Sequence, residues 1–424
     1  MMPVDPGVAA AYPGGIAPGR PMSAPLHGIR VLELARILAG PWCGQLLADL
    51  GADVVKVERA GPGDDTRQWG PPFIPARDGT DLGAAYFHSC NRGKRGITAD
   101  FETAEGQALV HRLARHADVV IENFKVGGLK RHGLDPEALR AQNPGLVVCS
   151  ISGFGQDGPY AARAGYDFLI QGMGGAMSIT GQGDGPPTKS GMAIADLFTG
   201  LYAANAIQAA LIRRAATGEG AWIDCALLDT QVAMLSSQAL NFLASGRDGR
   251  RLGNAHPSIV PYDVFPVADG HVIIATGNDG QFRKLCEILG APDLASHPDY
   301  RANRGRVANR EALTTALHAL TVAWPRDALL ATLAAAHVPA GPINTVAEVF
   351  ADPQVVARGM ALTLDNPAAG AGTTPGVRSP ILIDGVAQAS PRPAPGLGQH
   401  EAEVLADPAW GGEGGAAGGR GEGA

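Results

Sequence analysis

The 424-residue sequence has no uninterrupted apolar run that approaches the length of a membrane-spanning helix. Such a helix needs about 18 consecutive apolar residues. The first residues are mainly Pro, Gly and Ala, and they lack the charged-then-apolar order of a secretory signal peptide. We therefore expect a cytoplasmic protein without a membrane partner.

Clustered positive charge is missing as well. The chain has 34 Lys and Arg against 41 Asp and Glu, which gives a net charge of −7, and no segment is dense in basic residues. Proteins that bind nucleic acid usually present a basic stripe or patch. The charge pattern therefore argues against nucleic acid as a partner, and any anionic ligand must be held by individual arginines.

Cysteine is scarce, and its spacing excludes the common metal motifs. The cysteines lie far apart, without a CxxC pair or a histidine at ligand spacing, at Cys43, Cys90, Cys149, Cys225 and Cys286. We interpret them as buried free thiols. The sequence also lacks the phosphate-binding loop, HExxH and GxSxG motifs. We predict no metal site and no permanently bound cofactor.

What the sequence does contain is an alternation of short apolar runs with helical segments. The apolar runs cover 31–34, 52–58, 118–122, 146–151 and 222–227, and the helical segments cover 45–50, 103–116, 136–141 and 191–217. This alternation is typical of parallel strands with helices on both faces. We predict an α/β fold with a large Rossmann-like, doubly wound domain, although the spacing alone also fits other α/β arrangements.

Composition divides the chain further. Residues 1–24 are rich in Pro, Gly and Ala, and residues 408–424 are mostly Gly, Ala and charged residues, so both predict flexible tails. Between them, we assign 25–225 to the large Rossmann-like α/β domain, 250–340 to a smaller α+β domain, and 345–407 to a return to the large domain. These bounds follow from shifts in pattern and are accurate to several residues.

The smaller domain is predicted from its own elements. Two short apolar runs, 262–265 and 271–275, flank an Asp-Gly turn and predict a β-hairpin. Helical segments follow at 279–289 and 310–336. A hairpin packed with helices gives this domain its α+β character.

A series of short motifs occurs in order through the first half of the chain. They read ARILAGP (35–41), GADVVKVER (51–59), NRGKR (91–95), IENF (121–124), SISGFG (150–155), GYD (165–167), GPP (185–187) and GMAIAD (191–196). This order resembles that of the family III CoA-transferases, and the likeness extends from about residue 25 to 405. The resemblance implies an acyl-CoA and a carboxylic acid as substrates, and an interlocked homodimer.

The resemblance also assigns residues to a CoA site. The positions that match the family's CoA contacts are Arg59, Ala99, Asn123, Phe124, Gly128 and Arg131. Guanidinium groups suit the phosphates of CoA, an amide can pair with the pantetheine, and an aromatic ring can pack on the adenine. Without the family context, each arginine would be interpreted as a solvated surface residue.

Asp196 matches the family's nucleophile at the end of the GMAIAD motif. Its small or apolar neighbours, Ala195 and Leu197, predict a poorly solvated and therefore reactive carboxylate, and the helix start is expected to offer N–H groups to an oxyanion. By resemblance, this carboxylate forms an aspartyl anhydride and then an aspartyl-CoA thioester. Without the family context, Asp196 is interpreted more readily as the N-cap of the helix that follows it, and the two roles are compatible.

Two other functions stay open from the sequence. They are an α-methylacyl-CoA racemase and a catalytically silent CoA-binding protein. The racemases resemble this chain but carry a histidine where it has Tyr166. Because an imidazole exchanges protons near neutral pH and a phenol does not, Tyr166 argues against the racemase. Retention of Asp196 argues against the silent binder.

Substrate identity is predicted from a few positions. Leu38 stands where formyl-CoA transferases place a glutamine, and the four-glycine loop of that subgroup is absent. The segments NAHPSIVPY (254–262), GNDGQF (277–282) and VPAGPI (338–343) resemble the branch that uses succinyl-CoA with short dicarboxylates. We predict a substrate pocket that contains Leu38, Tyr166, His256 and Ser258. The last two could bind a distal carboxylate, although His256 alone would be interpreted as an ordinary loop histidine.

Overall fold

The computed structural model describes residues 24–413, so the predicted N-terminal tail lies, except for its last residue, outside the described residues. The strands are β1 (Arg30–Glu33), β2 (Asp53–Glu58), β3 (Phe73–Pro75), β4 (Asp81–Ala84), β5 (Arg95–Thr98), β6 (Val119–Glu122), β7 (Val147–Ser152), β8 (Ala221–Ala226), β9 (Tyr262–Val267), β10 (Gly270–Ala275), β11 (Ala340–Pro342), β12 (Ala361–Asp365), β13 (Thr373–Val377), β14 (Leu382–Ile383) and β15 (Val386–Ala387).

The helices are α1 (Ala39–Asp49), α2 (Ala85–Ser89), α3 (Ala104–His116), α4 (Pro136–Gln142), α5 (Asp167–Met173), α6 (Ala176–Ile179), α7 (Ile194–Thr217), α8 (Leu227–Met234), α9 (Ser237–Ser245), α10 (Asp279–Ile288), α11 (Pro292–Ser296), α12 (Asn303–Ala308), α13 (Arg310–Thr321), α14 (Arg326–Ala335), α15 (Val346–Ala351), α16 (Pro353–Ala357) and α17 (Glu401–Ala406). Within residues 24–413, no helix is both long enough and apolar enough to cross a membrane.

The largest sheet has six strands in the order β5-β2-β1-β6-β7-β8, and every neighbouring pair is parallel. The chain enters at β1 in the middle, moves outward to β5, and returns to the other side of β1 through β6. This is the strand order of a doubly wound nucleotide-binding sheet, in which ligands bind beyond the carboxyl ends of the strands where the direction reverses. The predicted α/β class with a central parallel sheet is confirmed.

Helices cover both faces of this sheet. Consecutive strand residues such as Val31 and Leu32 are fully buried in two different apolar clusters. The first cluster includes side chains from α1 and α7, and the second includes side chains from α3 and α4. Alternate side chains of a strand point to opposite faces, so burial on both sides explains why the strands appear in the sequence as continuous apolar runs.

The described chain divides into two compact units. The first contains residues 24–174, 191–236 and 353–413, and the second contains Gly175–Ser190 and Ser237–Asp352. The predicted large domain included 175–190, which belongs to the second unit. There the amide of Gly253 donates to the carbonyl of Gly181 at 2.9 Å, and the Arg251 guanidinium donates to backbone carbonyls of the same segment.

The second unit is built on a three-stranded antiparallel sheet in the order β11-β10-β9. Its core includes Phe265, Phe282 and Leu329, all fully buried. The predicted hairpin is confirmed as β9 and β10. The single helix predicted over 310–336 is instead two helices, α13 and α14, because Pro325 precedes α14 at its N-cap and cannot lie in a continuous helix without losing a hydrogen bond.

The C-terminal segment corrects another expectation. The tail was expected to begin at residue 408, but Pro408–Trp410 form a short 3₁₀ helix. Trp410 is fully buried, and its indole N–H donates to the Asp53 carboxylate at 2.7 Å. The Arg95 guanidinium, on the unpredicted strand β5, pairs with both Asp53 and Asp407. These contacts tie the segment to the sheet edge, whereas residues 414–424 lie outside the described residues.

Candidate active site

Two adjoining cavities lie beyond the carboxyl ends of the central strands. The first has a volume of about 490 Å³ and is lined by the segments that follow β1, β6 and β7, together with Asp196. The second has a volume of about 250 Å³ and is lined by the segments that follow β1, β2 and β5. Arg36 and Phe124 line both cavities, which places the two side by side at the point where the strand order reverses.

The loop between β1 and α1 forms a wall of the first cavity and is held by side chains from elsewhere. The Asn123 side chain binds both backbone polar groups of Arg36. Its Oδ1 accepts from the N–H at 3.0 Å, and its Nδ2 donates to the carbonyl at 2.6 Å. The next N–H, of Ile37, donates to the Asp64 carboxylate at 3.2 Å. Asn123 was predicted to meet CoA through its amide, and in this structure that amide is occupied by the loop.

Asp196 lies in the first turn of α7, three residues after the N-cap position, which Ala193 occupies without a side-chain hydrogen bond. The N-cap interpretation of Asp196 is therefore wrong. The helix start is capped from outside by Asp167, whose Oδ1 accepts from the N–H groups of Ala195 at 2.8 Å and Asp196 at 3.3 Å. Those two N–H groups are thus occupied by Asp167 in this structure, and the expectation that the helix start offers N–H groups to an oxyanion stays a prediction.

Burial and, as the smaller cause, the negative charge of the nearby Asp167 together raise the pKa of Asp196 to about 7. Near neutral pH the Asp196 carboxyl group is therefore divided between its neutral and ionised forms. Burial also raises the pKa of Tyr86 to about 12, with the charge of Asp196 as the next cause. The Tyr86 hydroxyl therefore stays protonated close to Asp196.

Three arginines around the cavities form ion pairs with surface carboxylates. Arg131 pairs with Glu102 at 2.5 Å, and both side chains are about two-thirds exposed. Asp65 lies 2.8 Å from Arg36 and 4.0 Å from Arg59. Exposed ion pairs of this kind contribute only about 0–1 kcal/mol, so a phosphate could replace either carboxylate at little cost.

One further arginine lines the Asp196 cavity. The Arg163 guanidinium lies over the rings of Phe154 and Tyr160, at 5.1 and 4.6 Å from their centroids. Stacking of this kind holds a planar guanidinium in place while its edge remains able to donate. Among the residues that the structure describes, no carboxylate forms an ion pair with Arg163.

A family model described as CoA-transferase family III matches residues 26–401. The chain belongs to the family III CoA-transferases. It is 57% identical over 384 residues to the succinate–glutarate CoA-transferase of Agrobacterium fabrum, a match that covers 90% of this chain and 95% of that protein. It is 41% identical over 401 residues to the succinyl-CoA:glutarate CoA-transferase of Homo sapiens, covering 92% and 89% of the two chains.

The fold is also shared with solved structures. The structure of a CAIB/BAIF family protein from Brucella suis matches with a TM-score of 0.80 at 57% identity, and the match covers 90% of this chain and 99% of that one. The family III assignment made from the order of the sequence motifs is therefore confirmed, and so is the expectation of an enzyme.

The structure brings most of the predicted site residues of this CoA-transferase to the two cavities. The first is lined by Leu38, Asn123, Phe124, Gly128, Arg131, Tyr166 and Asp196. The second is lined by Arg59, Ala99 and Phe124. The Phe124 ring packs on Phe101, with centroids 5.8 Å apart. Their individual roles stay predictions.

His256 and Ser258 lie in the second unit, where they contact each other. The Ser258 N–H donates to His256 Nδ1 at 3.1 Å, and the His256 ring packs on Tyr262 with centroids 5.2 Å apart. These contacts organise the loop that precedes β9. Their role toward a substrate carboxylate stays a prediction.

Residues that sequence reasoning left without a role include Asp64, Asp167 and Tyr86. Asp167 stood inside the GYD motif, and Asp64 stood shortly after GADVVKVER, but motif order gives no contact between distant residues. Glu58 was also overlooked, although its carboxylate accepts two hydrogen bonds from Arg67, each 2.7 Å long. Within residues 24–413 no cluster of His, Cys, Asp and Glu is arranged to hold a metal ion.

Proposed function

We propose that this enzyme moves CoA from succinyl-CoA to a short dicarboxylic acid through covalent intermediates on Asp196. The observation that carries this proposal is the partly desolvated Asp196 carboxylate in the cavity at the switch point, with its pKa raised to about 7. A raised pKa indicates a carboxylate that is basic and weakly solvated once it ionises, as a nucleophile should be.

The chemistry follows in balanced steps. An oxygen of Asp196 attacks the thioester carbonyl of the donor, the C–S bond breaks, and an aspartyl anhydride and the CoA thiolate form. The thiolate then attacks the aspartyl carbonyl, which releases the donor acid and leaves aspartyl-CoA. The acceptor carboxylate attacks this thioester, and the released thiolate takes the acceptor acyl group from the new anhydride. Asp196 is regenerated as a carboxylate.

The proposed CoA site extends from the second cavity into the first. Arg59 and Arg131 line the cavities, and each forms an ion pair with an exposed carboxylate that a phosphate can replace. Phe124 lines both cavities and, with Phe101, offers an aromatic surface for the adenine. In the proposed binding mode, the thiol end of CoA lies in the cavity that contains Asp196.

The choice of a dicarboxylate rests on the relatives and on local chemistry. The curated relatives compared above are named for succinate or succinyl-CoA and glutarate. Leu38 and Arg163 line the Asp196 cavity, so the cavity offers an apolar wall and a guanidinium without an internal carboxylate partner among the described residues. These groups suit the chain and the distal carboxylate of a short diacid, and His256 and Ser258 remain proposed contributors.

A panel of acids tests the substrate proposal. The enzyme is incubated with succinyl-CoA and, separately, with C2 to C6 mono- and dicarboxylic acids, and the CoA products are measured by mass spectrometry. We expect dicarboxylates of about five carbons to give kcat/KM at least 10-fold above monocarboxylates of the same length, because only a diacid has a second carboxylate to pair with the Arg163 guanidinium. Equal turnover of the matched monocarboxylates would contradict the dicarboxylate proposal.

The alternatives are weaker on this geometry. Tyr166 lines the cavity in the position where the related racemases carry a histidine, so the site lacks that imidazole. A silent CoA-binding protein would need no desolvated carboxylate beside the thiol end of its ligand. The silent binder also makes no use of the raised pKa of Asp196.

We also propose that the enzyme is a homodimer. Helix α9 has no buried residue, and Leu240 and Leu243 are 66% and 76% exposed on it. On α7, Leu201 and Tyr202 are also about half exposed. Apolar exposure of this extent in one chain usually marks a protein–protein interface.

Light scattering after gel filtration should give twice the 43.5 kDa of one chain, and a mass of one chain at micromolar concentration would contradict the dimer. Interlocking of the subunits stays a prediction.

A further inference from the structure

The loop that forms one wall of the Asp196 cavity contains a strained residue. Ile37 has a φ of +73°, in the left-handed region, although it is β-branched and not glycine. Crowding of Cβ makes this region unfavourable for β-branched side chains, so such a residue persists only when its surroundings hold it. Ile37 and the neighbouring Leu38 both line the cavity.

The surroundings hold three consecutive residues of this loop. Lys56 Nζ donates to the carbonyl of Ala35 at 2.8 Å. The Asn123 side chain binds the N–H and the carbonyl of Arg36, and the Asp64 carboxylate accepts from the N–H of Ile37. These holding groups follow or lie on β2 and β6, so they fix the loop to the sheet.

The charged side chains that hold this loop are completely buried. Lys56 and Asp64 form an ion pair of 3.0 Å, and Lys56 lies 3.2 Å from Glu33, with no exposed surface on any of the three side chains. Burial alone would raise the pKa of Asp64, but the charge of Lys56 and hydrogen bonds from Thr66 lower it. A buried pair of this kind keeps its geometry because breaking it would leave an unpaired charge in the interior.

We propose that Asp64 and Lys56 are positioning residues that hold Ile37 in its strained conformation, so that the wall of the cavity is fixed before the acyl-CoA binds. This inference rests on the proposed function, because it takes Asp196 as the reacting group in that cavity. A fixed wall places the thioester carbonyl against Asp196, and small errors in such placement lower the rate more than they weaken binding.

A matched pair of substitutions separates strain from side-chain loss. Both Ile37→Ala and Ile37→Gly remove the apolar contact, but only glycine adopts a positive φ without strain. We expect the Tm of Ile37→Gly to exceed that of Ile37→Ala by roughly 1–3 °C, the reverse of the usual order of these two residues. We expect kcat in the opposite order, at least about 5-fold lower for Ile37→Gly, with KM for acyl-CoA within about 2-fold.

A second pair tests the holding group itself. Asp64 and Asp78 make the same local turn, since each accepts from the N–H and hydroxyl of the threonine two residues later, but Asp78 is exposed. Asp64→Asn should lower kcat about 5-fold or more, and Asp78→Asn should leave it within about 2-fold.

The outcomes distinguish this inference from the function beneath it. If the wild type transfers CoA but Ile37→Gly is as active as Ile37→Ala, or is the less stable of the two, the positioning role is overturned while the proposed function stands. Equal kcat for Asp64→Asn and wild type would overturn it as well. Absence of transfer from every acyl-CoA donor in the wild type would overturn the proposed function and the positioning role together.

Discussion

Asp196→Ala is expected to abolish CoA transfer, with kcat at least about 10³-fold below wild type, while CoA still binds with an unchanged Kd. The substitution removes the only group to which the acyl chain is transferred in the proposed mechanism, but it leaves the arginines around the cavities in place. Steady-state kinetics and calorimetric titration with CoA measure the two quantities.

A matched control is available on α8. Asp229 also lies in the first turn of its helix, three residues after the N-cap, but it is exposed and lines neither cavity. Asp229→Ala should therefore keep wild-type kcat. Trapping of the wild type with acyl-CoA and hydroxylamine should modify Asp196 alone, as judged by peptide mass analysis. Substantial turnover by Asp196→Ala, or a label on another residue, would refute the covalent mechanism.

Asp167→Asn is expected to move the pH profile of kcat to lower pH. The attacking form of Asp196 is the carboxylate, so kcat of the wild type should rise with pH through about 7, where burial and then the charge of Asp167 place the pKa. Removing that charge lowers the pKa of Asp196, so its ionised form persists at more acidic pH. Asparagine retains an oxygen that can accept from the N–H groups of Ala195 and Asp196.

The same variant should also be slower on the alkaline plateau, by roughly 3- to 10-fold, because a less basic carboxylate is a weaker nucleophile. Asp229→Asn serves as the control, since it makes the same chemical change at an exposed first turn. A profile for Asp167→Asn that coincides with the wild type, or that moves to higher pH, would show that Asp167 does not act on Asp196 through its charge.

The central strands were predictable because burial on both faces leaves a continuous apolar signature in the sequence. This signature located β1, β2, β6 and β7 to within one or two residues. Strand β5 was missed because it is short and contains Arg95 and Gly96, so its apolar content is low. The edge position of β5 and the ion pairs of Arg95 with Asp53 and Asp407 compensate for that composition.

Site residues were predictable when they lie in a recognisable sequence motif. They were not predictable when their role depends on a contact with a residue far away in the sequence. Asp196 and Arg59 stood in recognisable motifs, and each lines one of the two cavities. The hydrogen bond by which Asp167 caps α7 joins residues that are 28 positions apart in the sequence. The hydrogen bond between the Ile37 N–H and the Asp64 carboxylate joins residues that are 27 positions apart. Neither contact has a local pattern, and no propensity predicts a positive φ at an isoleucine.

The buried charges beneath the loop also constrain the helix above them. Glu33 pairs with Lys94 at 2.8 Å as well as with Lys56, and all three side chains are shielded from water. A Cβ atom on Gly44 of α1 would lie 1.8 Å from the Glu33 carboxylate, so no larger residue fits there. Relatives with a smaller residue in place of Glu33 could therefore accommodate a side chain at position 44. Relatives that retain Glu33 are expected to retain glycine at position 44.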